Sequence, residues 1–321
     1  NYNVDIHHNY IGQNGGVSGA GGGVSLCTGS NDYALTDNYI CGNFNLQQGG
    51  GVAHYGLSDG KNVIARNKIL YNESFNQGLT VAGGGLLIAG QPELCAAGGP
   101  NCGDPLLDLS PGSGEVTVTD NVIHGNAAQA GDGGGIRIQK ANGQDVAAKP
   151  TSSGQWYKID ILNNIISNNV SALAGGGISL SDAKRVNIRH NTITNNDSTA
   201  TAGTAFAAAG DLLQSAPQPG AGVVARGHSP ALLAYQRPNN EDFSDAKLSD
   251  NIVWQNRWFV FNGVDTTVDP NTLVDWYGLC PDVGGLIENC SAVLPPHNGI
   301  TNVYNDIAVI GGTGSLVCDS C

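Results

Sequence analysis

An eleven-residue pattern, apolar-x-apolar-x-x-Asn-x-apolar-x-x-Asn, recurs seven times along this chain, from VDIHHNYIGQN ending at Asn14 to AKLSDNIVWQN ending at Asn256. Repetition of this kind constrains the fold before any single residue is weighed, because each unit must bury its apolar positions against its own copies. The first Asn column is Asn9, Asn38, Asn67, Asn121, Asn164, Asn191 and Asn251, and the second is Asn14, Asn43, Asn72, Asn126, Asn169, Asn196 and Asn256. Between them runs an apolar column of Ile11, Ile40, Ile69, Ile123, Ile166, Ile193 and Val253, and the one break in the inward pattern is Asn62. Six of the seven units continue into a glycine cluster and a second apolar stretch: GGGVSL from Gly21, GGGVAH from Gly49, GGGLLI from Gly83, GGGIRI from Gly133, GGGISL from Gly175 and GAGVVA from Gly220.

Alternating apolar and polar residues over three or four positions predict short strands, and the Asn and Gly between them predict corners that are side-chain-bonded or left-handed. Each unit then reads as strand, Asn corner, short strand, Gly corner, strand. Stacked in register about 4.8 Å apart, the units turn the inward Ile, Val and Leu into a continuous core, and each Asn amide can donate to the Asn of the next unit. Helical bundles are excluded, since 47 glycines and an Asn-rich pattern disfavour helix interiors.

With these columns the chain resembles the right-handed parallel β-helix family, of the pectin-lyase-like and polymorphic-outer-membrane-protein type. The resemblance spans residues 1–262 and implies an all-β, right-handed parallel β-helix solenoid with an Asn ladder and Gly-rich corners. It leaves activity open, because the family includes lyases, hydrolases, phage tailspikes, autotransporter passengers and scaffolds. The first Asn column is spaced by 29, 29, 54, 43, 27 and 60 residues, so the bare turn is 27 to 29 residues long and the longer intervals carry insertions. These fall near 89–113, 139–156, 197–219 and 226–244. Three of the four leave after the Gly-cluster strand and are expected side by side as a wall. Residues 263–321 read as an irregular, disulfide-bearing C-terminal cap that includes the strand-like VYNDIAVIG. Val4 and Ile6 already stand at core positions, so further turns of a longer parent chain, or another copy, are expected against the N-terminal end.

The charge balance is 14 Lys+Arg against 27 Asp+Glu, a formal net charge of −13, which argues against nucleic acid and anionic membranes as partners. No apolar run approaches the ~18 residues of a membrane span. The eight cysteines, Cys27, Cys41, Cys95, Cys102, Cys280, Cys290, Cys318 and Cys321, point to disulfides and an oxidising compartment. Pairing of Cys27 with Cys41 is expected to staple the first two turns, with Cys95–Cys102 and Cys280–Cys290 closing loops. Cys318-Asp-Ser-Cys321 reads as a disulfide, half a zinc site or a haem attachment.

For chemistry, a polysaccharide-cleaving site needs paired carboxylates or a Ca²⁺-binding acidic cluster with a base. The outward row after the Gly clusters is Ser25, Ala53, Leu87, Arg137, Ser179 and Val224, which holds one cation and no carboxylate and reads as a solvated face. Arg137 and Lys140 in RIQK resemble the RIK of polygalacturonases, and His228 in RGHSP resembles their GHG; the accompanying Asn-Thr-Asp and Asp-Asp motifs are absent. These three are the catalytic candidates. No metal site is assigned, and Ca²⁺ is the one cation that acidic turns at Asp59 and Asp132 could take. His7 and His8, as strand neighbours, are expected on opposite faces, whereas His54 occupies a core column. Sequons stand at Asn72, Asn169, Asn196 and Asn289, three of them ladder members. Trp254 and Trp258 are expected to pack under the tail. The reading that follows is a secreted or cell-surface structural or adhesive module: a spacer, passenger or filament subunit touching other copies, further turns or surface polysaccharide through its loops. A carbohydrate-active enzyme or polysaccharide-binding domain is the alternative.

Overall fold

A computed structural model of the 321-residue chain describes residues 1–76, 81–91, 109–199, 201, 220–235, 241–262, 278–281 and 306–312. One coil shows the plan: strands Ala34–Thr36, Tyr39–Cys41, Phe44–Asn45 and Val52–Tyr55 follow one another around the rod. Each pairs in parallel with its copy one coil away, giving four sheets of seven, seven, eight and seven strands. The all-β parallel β-helix expected from the repeat is the fold of the protein. The third strand, two residues long, was hidden from the sequence pattern because it lies between the second Asn and the glycines and is too short to alternate.

The core is the stack of inward columns. Leu35, Ile64, Val118, Ile161 and Ile188 line the first sheet, Ile40, Ile69, Ile123, Ile166 and Ile193 the second, and Leu26, Ile88, Ile138 and Leu180 the fourth. Asn62, the inward exception, is buried and donates to the carbonyls of Ser58 and Glu115 at 3.0 Å each. His54 is equally buried: Nε2 bonds the Ser113 carbonyl at 2.8 Å and Nδ1 the Tyr33 hydroxyl at 2.9 Å. Burial lowers the His54 pKa to about 4, so the ring is held neutral.

Both Asn columns form ladders with one polarity. The carbonyl oxygen of Asn121, for example, accepts the backbone N–H and the amide of Asn67 at 2.9 and 3.1 Å, while its own amide reaches the Ile64 carbonyl and Asn164. The left-handed residue of each corner is not the Asn but the residue before it, whatever its type: Arg66 has φ 54°, Tyr71 52° and His190 57°. Because the ladder Asn pins both flanks of the corner, side chains that normally avoid this region are held in it. At the other corner the first glycine of each cluster has positive φ, and the next meets neighbouring backbone: a Cβ on Gly84 would come within 2.4 Å of Ala127.

Two described segments of the tail join the sheets of the solenoid. Ile307–Ile310 adds to the fourth sheet in parallel, pairing Val223 with Ile307, and Gly278–Pro281 pairs antiparallel with Arg257–Asn262 on the third. Asp306 stands in the row of the third glycines, next to Gly222, and its carboxylate accepts the backbone N–H and amide of Asn256 at 2.9 and 2.7 Å. A carboxylate thus ends the second ladder.

The expected Cys27–Cys41 disulfide is not formed; both thiols are free. Cys27 ends the fourth-sheet strand Val24–Cys27 and Cys41 the second-sheet strand Tyr39–Cys41, so the two lie on different flanks of the rod. Cys280 lies on the strand Gly278–Pro281. Cys95, Cys102, Cys290, Cys318 and Cys321, and with them the other expected pairings, fall outside the described residues, as do most of 89–113 and 197–219.

Candidate functional site

The chemistry-bearing side chains converge on the outer face of the fourth sheet. Register puts Arg137 beside Leu87 and Ser179, and the next outward row carries Ala89, Gln139, Ser181 and Arg226. Just before the glycine corner, Asp132 turns its carboxylate onto this face. It accepts from Arg137 Nη1 at 3.0 Å, Arg226 Nη2 at 2.7 Å, Ser179 Oγ at 3.2 Å and the Ala174 backbone N–H at 3.0 Å, with a further contact from Arg226 Nε. Arg137 also donates to Ser179, Ser181 and Gln139, and Gln139 reaches Gln48 two coils back at 2.5 Å.

This face was expected to be solvated; Ser25 on the first coil is exposed, but beyond it Ala53, Leu87, Ser179 and Val224 are fully buried and Arg137 is 8 % exposed. Burial works against the Asp132 charge, but Arg137 and Arg226 outweigh it and hold the carboxylate below its ordinary range. Burial also lowers the Arg137 pKa, opposed by Asp132. The acidic turn at Asp132, considered for Ca²⁺, is therefore occupied by two guanidiniums. At Asp59 the backbone N–H is taken by Asn31 Oδ1 at 2.8 Å. Among the described residues no group of three or more His, Cys, Asp or Glu is placed to hold a metal.

The three catalytic candidates fall in three environments. Arg137 is locked in the ion-pair net. Lys140 follows the strand Ile136–Gln139 with φ 52°, is exposed, and forms no salt bridge among the described residues. His228 is buried, and among the described residues neither ring nitrogen has a hydrogen-bond partner; Nδ1 stands 3.4 Å from Asp182 Oδ1. Asp182 in turn accepts the Ser229 backbone N–H at 2.7 Å; burial raises its pKa, but His228 and Ser229 bring it below the usual carboxylate range. Sequence reasoning saw Asp132 only as an acidic turn open to Ca²⁺ and missed Asp182 and Arg226, because these pairings depend on which residues the corners bring together.

Beside this net, parts of three insertions share one small core: Leu109, Val146, Trp156 and Leu232, with Tyr235 packed against them. Trp156 is buried there with Nε1 donating to the Lys149 carbonyl at 2.8 Å, so it offers no platform for a sugar ring. Trp258 is buried, but Trp254 lies 59 % exposed on the second sheet rather than under the tail. The ladder sequons Asn72, Asn169 and Asn196 are buried with their amides bonded, which closes them to glycans in the folded chain. His7 and His8, expected on opposite faces, are instead brought together: φ of 56° at His8 swings its ring back, and the two Nδ1 atoms lie 2.9 Å apart.

Four parallel sheets stacked coil on coil, two polar ladders and a closed ionic net on one flank define a β-helix protein. Residues 95–229 match the family described as right handed beta helix region, and the chain is a right-handed parallel β-helix. No curated protein and no solved structure matches it.

Proposed function

We propose that the protein is a secreted or cell-surface structural module, a rigid spacer, passenger or filament subunit whose inserted loops make its contacts. The observation that carries this reading is the saturation of Asp132: a buried carboxylate shared by two arginines is spent on holding coils together. Asp132, Arg137, Ser179 and Arg226 come from three successive coils, so the net behaves as a clamp across the stack. The shared core of the three insertions supports a pre-formed contact surface beside it. A further coil, from the parent chain or another copy, fits the N-terminal end, where the first ladder begins with Asn9 and the second with Asn14 and each strand has one open edge. The acidic, Lys-poor composition and eight cysteines support the extracellular setting.

The test is a degradation screen of the full chain against pectin, alginate and chondroitin, run beside sedimentation and electron microscopy. No depolymerisation, together with end-to-end or loop-mediated assembly, is the expected result. Depolymerisation of one polymer that Arg137→Ala abolishes would replace this reading with that of a polysaccharide-active enzyme.

A further inference from the structure

We propose that His7 and His8 form a chelating site for a late first-row divalent cation, nickel(II) or copper(II), on the first coil. Metal–imidazole bonds of about 2.0–2.1 Å at a right angle place two nitrogens about 2.9 Å apart. The two Nδ1 atoms stand at 2.9 Å, with ring planes at 89° and centroids 5.2 Å apart. Adjacent histidines on a continuous strand point to opposite faces and cannot do this. Here the strand Asp5–His7 ends one residue earlier, and His8 takes the left-handed corner conformation that every coil imposes at this column.

The corner is held from several sides, which reduces the ordering cost of binding. The Asn9 amide donates to the His7 carbonyl at 2.8 Å and to Asn38 at 3.0 Å, and the His8 N–H bonds the Thr36 carbonyl. Both histidines are solvent-exposed, so a hydrated ion can reach them. No third His, Cys, Asp or Glu among the described residues completes a closed set, so water fills the remaining positions, as suits the tetragonal N,O coordination of copper(II) and nickel(II). One coil on, Asp37 occupies the column of His8 but is held by Arg66 at 2.7 and 2.9 Å, so that carboxylate is already paired and is not counted as a ligand. Without metal, one ring donates its Nδ1 proton to the other; on binding, that proton moves to Nε2 and both Nδ1 lone pairs turn to the cation.

The experiment uses the full chain, free of any histidine tag, titrated calorimetrically with nickel(II) chloride, with copper(II) followed by electron paramagnetic resonance. The variants are His7→Thr and His8→Asn, which install the residues that the same columns carry at Thr36 and Asn163 and so keep the corner folded. One equivalent of nickel(II) should bind, and each variant should weaken it at least about tenfold, the lower range for losing even an outer-shell partner. The copper(II) spectrum should show two coupled nitrogens in the parent and one in each variant. His190→Asn, in the same column without a histidine neighbour, should change nothing. Equal affinity in the parent and the His7→Thr/His8→Asn double variant, or an unchanged nitrogen count, would overturn the proposal.

Discussion

The fourth and second sheets of the rod are built from the same repeat, yet beyond the first coil their outer faces differ. On the fourth, Ala53, Leu87, Ala89, Ser179 and Val224 are buried and a carboxylate is shared between two arginines. On the second, Tyr10, Tyr39, Ile165, Ile252 and Trp254 are exposed, and of its paired outward residues none is acidic although the chain carries 27 Asp and Glu. The ladders explain the division. They flank the second sheet on both sides at a fixed five-residue interval, from Asn9 to Asn14 through Asn251 to Asn256, so no insertion can leave there without breaking amide bonds. The fourth sheet ends in a corner with no ladder, and three insertions leave from it. Outer faces in this fold are therefore decided by where the corners can lengthen, while the core is decided by the columns.

The most disruptive way to break the covered face is to remove its shared acid. Asp132→Ala leaves Arg137 buried and uncompensated, and the expected loss is about 3–5 kcal/mol, read as a drop in the thermal midpoint. Adding Arg137→Leu should restore part of that loss, since it removes the stranded charge; a further loss of similar size would show that packing, not charge, governs the face.

A smaller effect separates the covered sheet from the bare one by pH. His54 lies on the inner side of the fourth sheet, and its pKa falls from the ordinary 6.5 to about 4 in the fold. Between those values the unfolded chain binds a proton that the folded chain refuses. Stability is therefore complete above about pH 6.5 and declines as the pH falls toward about 4, by about 3 kcal/mol in all. Midpoints measured from pH 7 to pH 4 should show this decline, and His54→Gln should flatten it.

The frame beneath both faces is tested by comparing Asn121→Ala with Asn9→Ala. Asn121 is buried and has partners in both neighbouring coils, so truncation strands several polar groups and should cost about 2 kcal/mol or more. Asn9 is exposed at the first coil, where water replaces what is lost, and the change should cost less than about 1 kcal/mol. Equal costs would mean that the ladder contributes nothing beyond its local corner.

The columns were legible because each requires one residue type at one phase: an amide that can both donate and accept in the ladder, an aliphatic in the core. What governs the outer faces has no such period. Asp132 and Arg226 are 94 residues apart and meet only because the strand of Arg226 lies two coils beyond the glycine corner of Asp132. Asp306 could not be recognised as the end of the second ladder, since it follows no Asn-x-Ile-x-x repeat of its own and stands in a glycine row. Which residue of each Asn corner is left-handed escaped notice for the opposite reason: His8, Arg66 and Tyr71 share a conformation and no chemistry. The His7–His8 contact followed from that conformation, and a strand rule applied one residue too far concealed it.

The finest distinction between the two faces is a substitution that should do almost nothing. Ile165 lies mid-rod on the second sheet, 48 % exposed between Val122 and Thr192, and its side chain is outside both the core and the ladders. Ile165→Thr keeps the β-branch and should shift stability by no more than about 0.5 kcal/mol. The same change at Ile166, the inward neighbour packed between Ile123 and Ile193, buries a hydroxyl and should cost several times as much. A loss at position 165 approaching that at 166 would mean that something covers the second sheet in solution, and sedimentation of the parent beside Ile165→Lys would then show whether another copy of the chain is what covers it.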